Sequence, residues 1–414
     1  MVRAVETRAG RSRTAVVLLL AGFVALGGCS NLRDMFKDKK NKSIKPAELT
    51  EFAPTAKATR AWSTSVGDGE GRLGGRQGPV VADGRVFAAG SEGVGAWDLQ
   101  TGKQVWYYAD QGKDGDKGKD KDDKGDARLG ISSSPGVGDG LLVVGGLDGG
   151  VLALDSASGA VKWRAKVASE VLAAPAIGQG LVLVRSIDGR VTAFDAGSGE
   201  RKWFWQKETP ALTVRGNSSP LLVPGAAFVG NDDGTLTALT LASGRLLWEQ
   251  IVSPGEGRSE LDRMADIDGT PVVDGTMLYV TSFKGETIAF DGPSGQPMWS
   301  HDAGGQGAVA VAPDSVVVSD PKGTVWALAK ADGSAMWQQP ALTRRNLSAA
   351  AVQGDYAVVG DFDGYLHWMR LADGAFAARA RNGKAPIRGR PVVADGLLVV
   401  EDTDGNLGAW RISP

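Results

Sequence analysis

Short apolar runs alternate with polar, glycine-bearing turns along most of the chain. In the stretch Asp188-Gly189-Arg190-Val191-Thr192-Ala193-Phe194-Asp195, a turn opens a short apolar strand. Ser198-Gly199-Glu200-Arg201-Lys202-Trp203 then supplies a second turn and a strand that opens on tryptophan. The same phrase returns throughout. Its turn glycines are Gly93, Gly149, Gly189, Gly234, Gly285, Gly323, Gly364 and Gly405, and after a first gap of 56 residues they are spaced by 40, 45, 51, 38, 41 and 41. A period in the forties, with short strands and turn signals, predicts a β-propeller of eight blades.

The phrases before each turn refine that expectation. Six blades open on a proline, as in Ser219-Pro220-Leu221-Leu222 and Thr270-Pro271-Val272-Val273. Proline at the first residue of a strand has no ladder bond to lose. The next strands, such as Leu141-Leu142-Val143-Val144, are apolar without alternation. Both their faces must therefore be covered, as those of inner strands sandwiched between neighbouring blades would be. Trp106, Trp163, Trp203, Trp248, Trp299 and Trp337 each follow a turn glycine by four residues, which suits a structural peg between blades. In the seventh repeat Gly374 is followed by Ala378 at that place, so this blade boundary is expected to be the least tightly packed.

The two ends are complementary. Ala58 to Val66 holds Trp62 without the strands that precede the other tryptophans, and Pro391 to Ile412 supplies early strands and then stops. The expected fold is all-β: an eight-bladed propeller over residues 58–414 with four-stranded antiparallel blades. An N-terminal strand completes the last blade and closes the ring. Closure removes the open sheet edges that invite aggregation.

Outside the repeat, composition decides. Asp110 to Asp126 is a run of Lys, Asp and Gly that buries too little area to order itself, and is read as a disordered excursion between blades one and two. Residues 1–28 carry Arg8, Arg11 and Arg13 ahead of the apolar run Ala15 to Leu26, a signal-peptide pattern too short for a permanent span. Removing them takes the formal charge from −2 to about −5. An acidic surface gains nothing from a phosphate backbone, so nucleic acid is not an expected partner. Residues 29–57 are polar and lysine-rich and read as a mobile tether.

Candidate chemistry is sparse. The only histidines are His301 and His367, both embedded in the repeat, and the only cysteine is Cys29. Asp266-Ile267-Asp268-Gly269 begins like a calcium loop but lacks the further ligands and terminal glutamate. No catalytic constellation, metal site or cofactor site is expected. Two longer connections stand out instead. One is Pro210-Ala211-Leu212-Thr213-Val214-Arg215-Gly216-Asn217-Ser218-Ser219-Pro220, where an apolar pair is either tucked inward or offered to a partner. The other is Glu260 to Pro271, whose Asp266 and Asp268 either cap turns or face that first loop.

Leu26-Gly27-Gly28-Cys29 resembles the lipobox of bacterial lipoproteins, which implies a diacylglyceryl thioether and an acylated amino terminus on Cys29. Several acyl chains make a stable anchor, and Ser30 after the cysteine fits delivery to the outer membrane by such a sorting rule. The phrase Ala-x-Asp-x-x-x-Gly-x-x-x-Trp, clear from Ala153 to Trp163, resembles the quinoprotein-type propeller repeat. With the lipobox, the eight repeats and the two loops, the whole chain resembles the propeller lipoproteins of the outer-membrane β-barrel assembly machinery. The resemblance implies a non-enzymatic scaffold at the periplasmic face of the outer membrane. Its two loops would touch the POTRA domains of the barrel protein BamA through Leu212, Val214, Arg215, Asp266 and Asp268, and it would meet other subunits of that complex. Unfolded outer-membrane proteins are a further partner left open. The alternative from the same repeat is a quinone-dependent dehydrogenase, which would need pyrroloquinoline quinone, usually with calcium. A single cysteine rules out the adjacent cysteine pair common in those enzymes.

Overall fold

The computed structural model describes residues 45–70, 76–110, 128–214 and 218–414. The leader, Cys29, Arg215 and positions 111–126 of the charged excursion lie outside the described residues. The chain forms eight four-stranded antiparallel sheets, and seven of them are built from four consecutive strands. The first strands of successive blades neighbour one another from blade one to four and from five to eight, and that of blade eight returns to that of blade one. Blades one to seven occupy 80–109, 136–166, 176–206, 221–251, 272–301, 310–339 and 351–381. In blade eight the strands Val392–Ala394, Leu397–Glu401 and Asn406–Ser413 are joined by Lys57–Ser65, which pairs with the last of them. The ring is thus closed by an N-terminal strand, as the mismatch of the two chain ends foretold.

The repeat has a local explanation at Asp155. Its Oδ1 accepts from the backbone of Ala157 and Ser158 and from the Ser158 hydroxyl at 2.8–3.1 Å, closing the turn between the third and fourth strands. The Ser158 hydroxyl bond, followed by Lys162, holds the carboxyl down at about 2. Just before this turn the ladder slips by one residue, between Ala153 and Leu154. The same bulge recurs before the turn in each of blades one to seven. A bulge re-aims the side chains beyond it, and here it places Trp163 opposite Ala153. Blade eight keeps the pairing although its fourth strand comes from the other end of the chain, because Trp62 stands opposite Ala409.

Each peg tryptophan works on the next blade. The Trp163 indole donates to the Ala196 carbonyl at 2.8 Å and lies on Gly199, where a Cβ would meet the ring at 2.7 Å. Gly199 also has φ +72°, so the turn and the indole both demand glycine there. Trp62, Trp106, Trp203, Trp248, Trp299 and Trp337 repeat the arrangement, each donating to a carbonyl three residues before a glycine of the next blade. The eighth boundary lacks the peg for a topological reason. Blade eight has no turn between its third and fourth strands, since these are the two ends of the domain, and so no surface on which a peg could rest. The expectation of loose packing there is corrected. Ala378 is buried, and Trp368 and Trp410 meet edge-on at 6.3 Å in the same cluster. Gln353 links the two blades by accepting from the Trp368 indole and donating to the Gly396 and Trp410 carbonyls.

Two segment readings are corrected. Asp110 is not part of a loose excursion: it is 4% exposed and accepts from the amides of Leu129 and Gly130 at 2.9 and 2.8 Å, pinning the base of the insertion. Residues 47–56 are not free tether either. The Ala47 amide donates to the Thr343 carbonyl, the Thr55 and Ala56 amides donate to the Ala377 carbonyl, and Leu49 packs on the blade-seven core.

Candidate functional site

The two longer connections leave blades three and four and lie side by side. The Val214 amide donates to Asp266 Oδ1 at 2.8 Å, which joins them directly across 52 residues of sequence. Further in, the Ser218 hydroxyl donates to the Gly269 carbonyl at 3.3 Å. Leu212 is 42% exposed and Val214 half-buried, so the apolar pair stands at the surface of the joined loops and not in the core. The second loop also carries the one helix of the described residues, Glu260–Arg263, with Ser259 and Asp262 forming a capping box and Leu261 exposed.

The aspartates play a different part from the one the resemblance implies. Asp266 is fully buried, so direct contact between its side chain and a partner is corrected to an anchoring role. Its main chain is held as well: its carbonyl accepts from Phe283, and the next amide, Ile267, donates to Asn231. Ile267 fills the space above Gly230 and fixes this stretch in the core of blades four and five. Asp268 is half-buried. Asp266 Oδ2 and Asp268 Oδ1 have no hydrogen-bond partner among the described residues. Burial drives the Asp266 carboxyl up to about 6 against the pull of the Val214 bond. Burial, then the neighbouring Asp266 charge, drives Asp268 up to about 7. Beneath them runs a buried ion pair, Arg185 to Asp232 at 2.6 Å, and Arg185 also reaches the Ser218 carbonyl. The sequence reading missed this pair: Arg185 ends an apolar strand, and Asp232 reads as one more turn aspartate. The only available signal was an arginine at a position that six of the other seven blades fill with Ala, Gly, Ser or Thr.

The channel along the ring axis bears on cofactor chemistry. Arg76, before blade one, donates to Gln306, before blade six. Blades one and six are not adjacent, so this bond crosses the axis. The cavity beside it, lined by Arg76, Gln306, Asp320 and Asn346 among others, holds about 80 Å³. Small-molecule sites run from roughly 300 Å³ upward, so the described residues do not fit a tricyclic quinone there. Among the described residues no group of three or more His, Cys, Asp or Glu side chains is arranged to hold a metal ion.

Comparison with known proteins agrees on one family. Residues 116–339 match the family model described as outer membrane protein assembly factor BamB. The chain is 55% identical over 405 residues to the assembly factor of that name from Xanthomonas campestris pv. campestris, covering 97% of this chain and 98% of that one. The crystal structure of BamB from Moraxella catarrhalis superposes with a TM-score of 0.75 at 26% identity, covering 86% of this chain and all of that one. A quinohemoprotein alcohol dehydrogenase from Comamonas testosteroni gives a TM-score of 0.64 at 16% identity over 85% of this chain and 76% of that one. That likeness is one of fold alone.

Proposed function

The chain belongs to the BamB family of outer membrane protein assembly factors, and from that premise we propose that it is a lipid-anchored, non-enzymatic scaffold which binds the POTRA domains of BamA through its joined loops. Assembly of outer-membrane proteins is the family's role, and it places the chain at the outer membrane and not among the dehydrogenases that share its fold. The contact surface is Leu212, Val214 and Arg215, with Asp266 and Asp268 beneath as the parts that set the loop. Anchorage is through Cys29, with the propeller facing the periplasm. The observation that carries the reading is the bond from the Val214 amide to Asp266 Oδ1. It makes one surface of two loops far apart in sequence and leaves Leu212 exposed at its edge. Exposed aliphatics beside an arginine form the kind of centre on which interface energy concentrates.

Pull-down of POTRA domains by purified variants, read beside thermal unfolding, tests this. Leu212→Ala and Arg215→Ala should each weaken capture at least about thirtyfold, since a hot-spot truncation costs ~2 kcal/mol or more. Their melting temperatures should stay within a few degrees of wild type. Capture equal to wild type would remove these loops from the interface. Titration with pyrroloquinoline quinone and calcium should show no stoichiometric binding.

A further inference from the structure

Residues 47–56 lie across blade seven, and what holds them is unusual for a surface strap. Arg345 is 4% exposed; its Nε donates to Asp361 Oδ2 at 2.7 Å, its Nη2 to Asp363, and its Nη1 to the Ala47 carbonyl at 3.0 Å. His367 is fully buried, and its Nε2 meets the same Asp361 oxygen at 2.9 Å. Arg379 donates from Nε to His367 Nδ1, which makes Nδ1 the acceptor and Nε2 the protonated nitrogen of a neutral ring. Arg379 Nη1 donates to the Thr50 carbonyl at 3.0 Å, and its guanidinium lies 5.0 Å from the centre of Phe52, which stacks on Phe376. The chain Asp361–His367–Arg379 thus ends on the strap, and so does Arg345. Arg345 Nη1 and Arg379 Nη1, at the outer edge of this buried network, find their partners on the carbonyls of Ala47 and Thr50.

The strap leads straight into the strand that closes the ring. Lys57, the first residue of that strand, pairs with Ser413, one residue from the end of the chain. Tension entering at Lys57 would therefore open the ladder from its end, one pair at a time. That is the weakest way to load a strand, and the ring depends on it.

We propose that residues 47–56 are a clasp, docked on the Arg345–Asp361–His367–Arg379 network, that takes up tension arriving along the amino-terminal chain before it reaches the closing strand. The clasp holds at many points together: three amides on the Thr343 and Ala377 carbonyls, two arginine bonds to its own carbonyls, and the Phe52 stack. These attachments all lie on the amino-terminal side of Lys57, so a pull along the chain must release them before it reaches the closing strand. The source of the tension rests on the lipid-anchor reading of Cys29. The clasp also sets where Ala47 meets the ring, on the Thr343 carbonyl beside blade seven. Blade seven stands four blades from blade three, directly across from the blade whose outgoing connection carries Leu212 and Val214. The clasp and the partner surface are then on opposite sides of the wheel.

Optical-tweezer unfolding of the unlipidated mature chain (Cys29→Ser), with handles at Ser30 and Pro414, tests the clasp without involving the membrane. Wild type should rupture at a clearly higher force than the same chain pulled from a handle at Lys57. Phe52→Ala should bring the force down towards that lower value. Arg379→Ala should do the same and raise amide exchange of residues 47–56 at least tenfold, while exchange in the blade cores holds. Phe52→Ala alters only the strap, so it remains informative where Arg379→Ala fails to fold. Equal rupture forces from both handles, or no effect of Phe52→Ala, would overturn the proposal. Neither result bears on lipidation, which fractionation of Cys29→Ser decides separately.

Discussion

At the scale of single residues, the candidate surface is built on an electrostatic cost. Asp266 and Asp268 are held above the ordinary carboxylate value of 3.8, at about 6 and about 7, because burial opposes their charge. A carboxyl with a raised folded-state pKa favours the fold while protonated, and that contribution is lost as pH rises from about 4 through 6 and 7. The pair should therefore make the domain less stable at pH 7.5 than at pH 5, against the usual trend for carboxylates. Asp268→Asn should raise stability at pH 7.5 by on the order of 1–2 kcal/mol and flatten the slope between pH 5 and 7.5. Urea unfolding at the two pH values reads both. If the charge matters to the interface, the same variant should bind POTRA domains at least tenfold more weakly. A variant that is more stable and binds normally would show that the Asp268 charge has no part in the interface. Of this site, Leu212 and Val214 could be read from the sequence, because apolar residues in a long loop need an explanation. The burial of Asp266 could not. It follows from Ile267 packing over Gly230, a contact between blades that no local pattern encodes.

At the scale of the strand and turn, the sequence was most legible where it repeats. Glycine and tryptophan four residues apart reflect a physical unit: a left-handed turn under an indole from the previous blade. Trp203→Ala empties that contact on Gly244 and orphans the Leu241 carbonyl. It should cost about 3–5 kcal/mol in denaturant unfolding, as large-to-alanine changes at packed sites do. Ala378→Trp gives the converse. A tryptophan there meets the buried Trp368–Trp410 pair and no receiving turn, so it should destabilise by about 1–3 kcal/mol through overpacking. A gain in stability would contradict the topological explanation of the missing peg. The sequence erred where composition stood in for contacts. Residues 47–56 look like polar tether because their attachments are mainly backbone groups, and backbone groups leave no trace in residue type. Asp110 was assigned to the excursion on charge alone, although its two oxygens hold the chain that returns at Leu129 and Gly130.

At the scale of the whole molecule, a ring of like units is rigid only if it closes, and here closure is non-covalent. Seven blades are continuous in the chain, while the eighth is shared between its two ends. Loss of the strand Lys57–Ser65 strips Trp62 from Gly102 and exposes the edge of Asn406–Ser413 at once. Its deletion should abolish cooperative unfolding or lower the melting temperature by well over ten degrees. Residues 111–125 lie beyond the Asp110 pin, and their removal should shift the melting temperature by no more than a few degrees. Calorimetry of the two deletions separates them, and equal losses would contradict the closure mechanism. The same topology makes the amino terminus a sensitive place to attach a membrane. The proposed anchor at Cys29 would tie the protein down through the end of the chain on which the ring depends. Cys29→Ser should move the protein out of the outer-membrane fraction while its melting temperature stays unchanged, because the clasp and the closing strand both begin downstream of the anchor. Fractionation with the lipid state checked by mass spectrometry measures the first half, and thermal unfolding the second. Retention of an unlipidated chain in the outer-membrane fraction would mean that its protein contacts alone hold it there, and that the chain leading to blade seven carries no tension from a lipid.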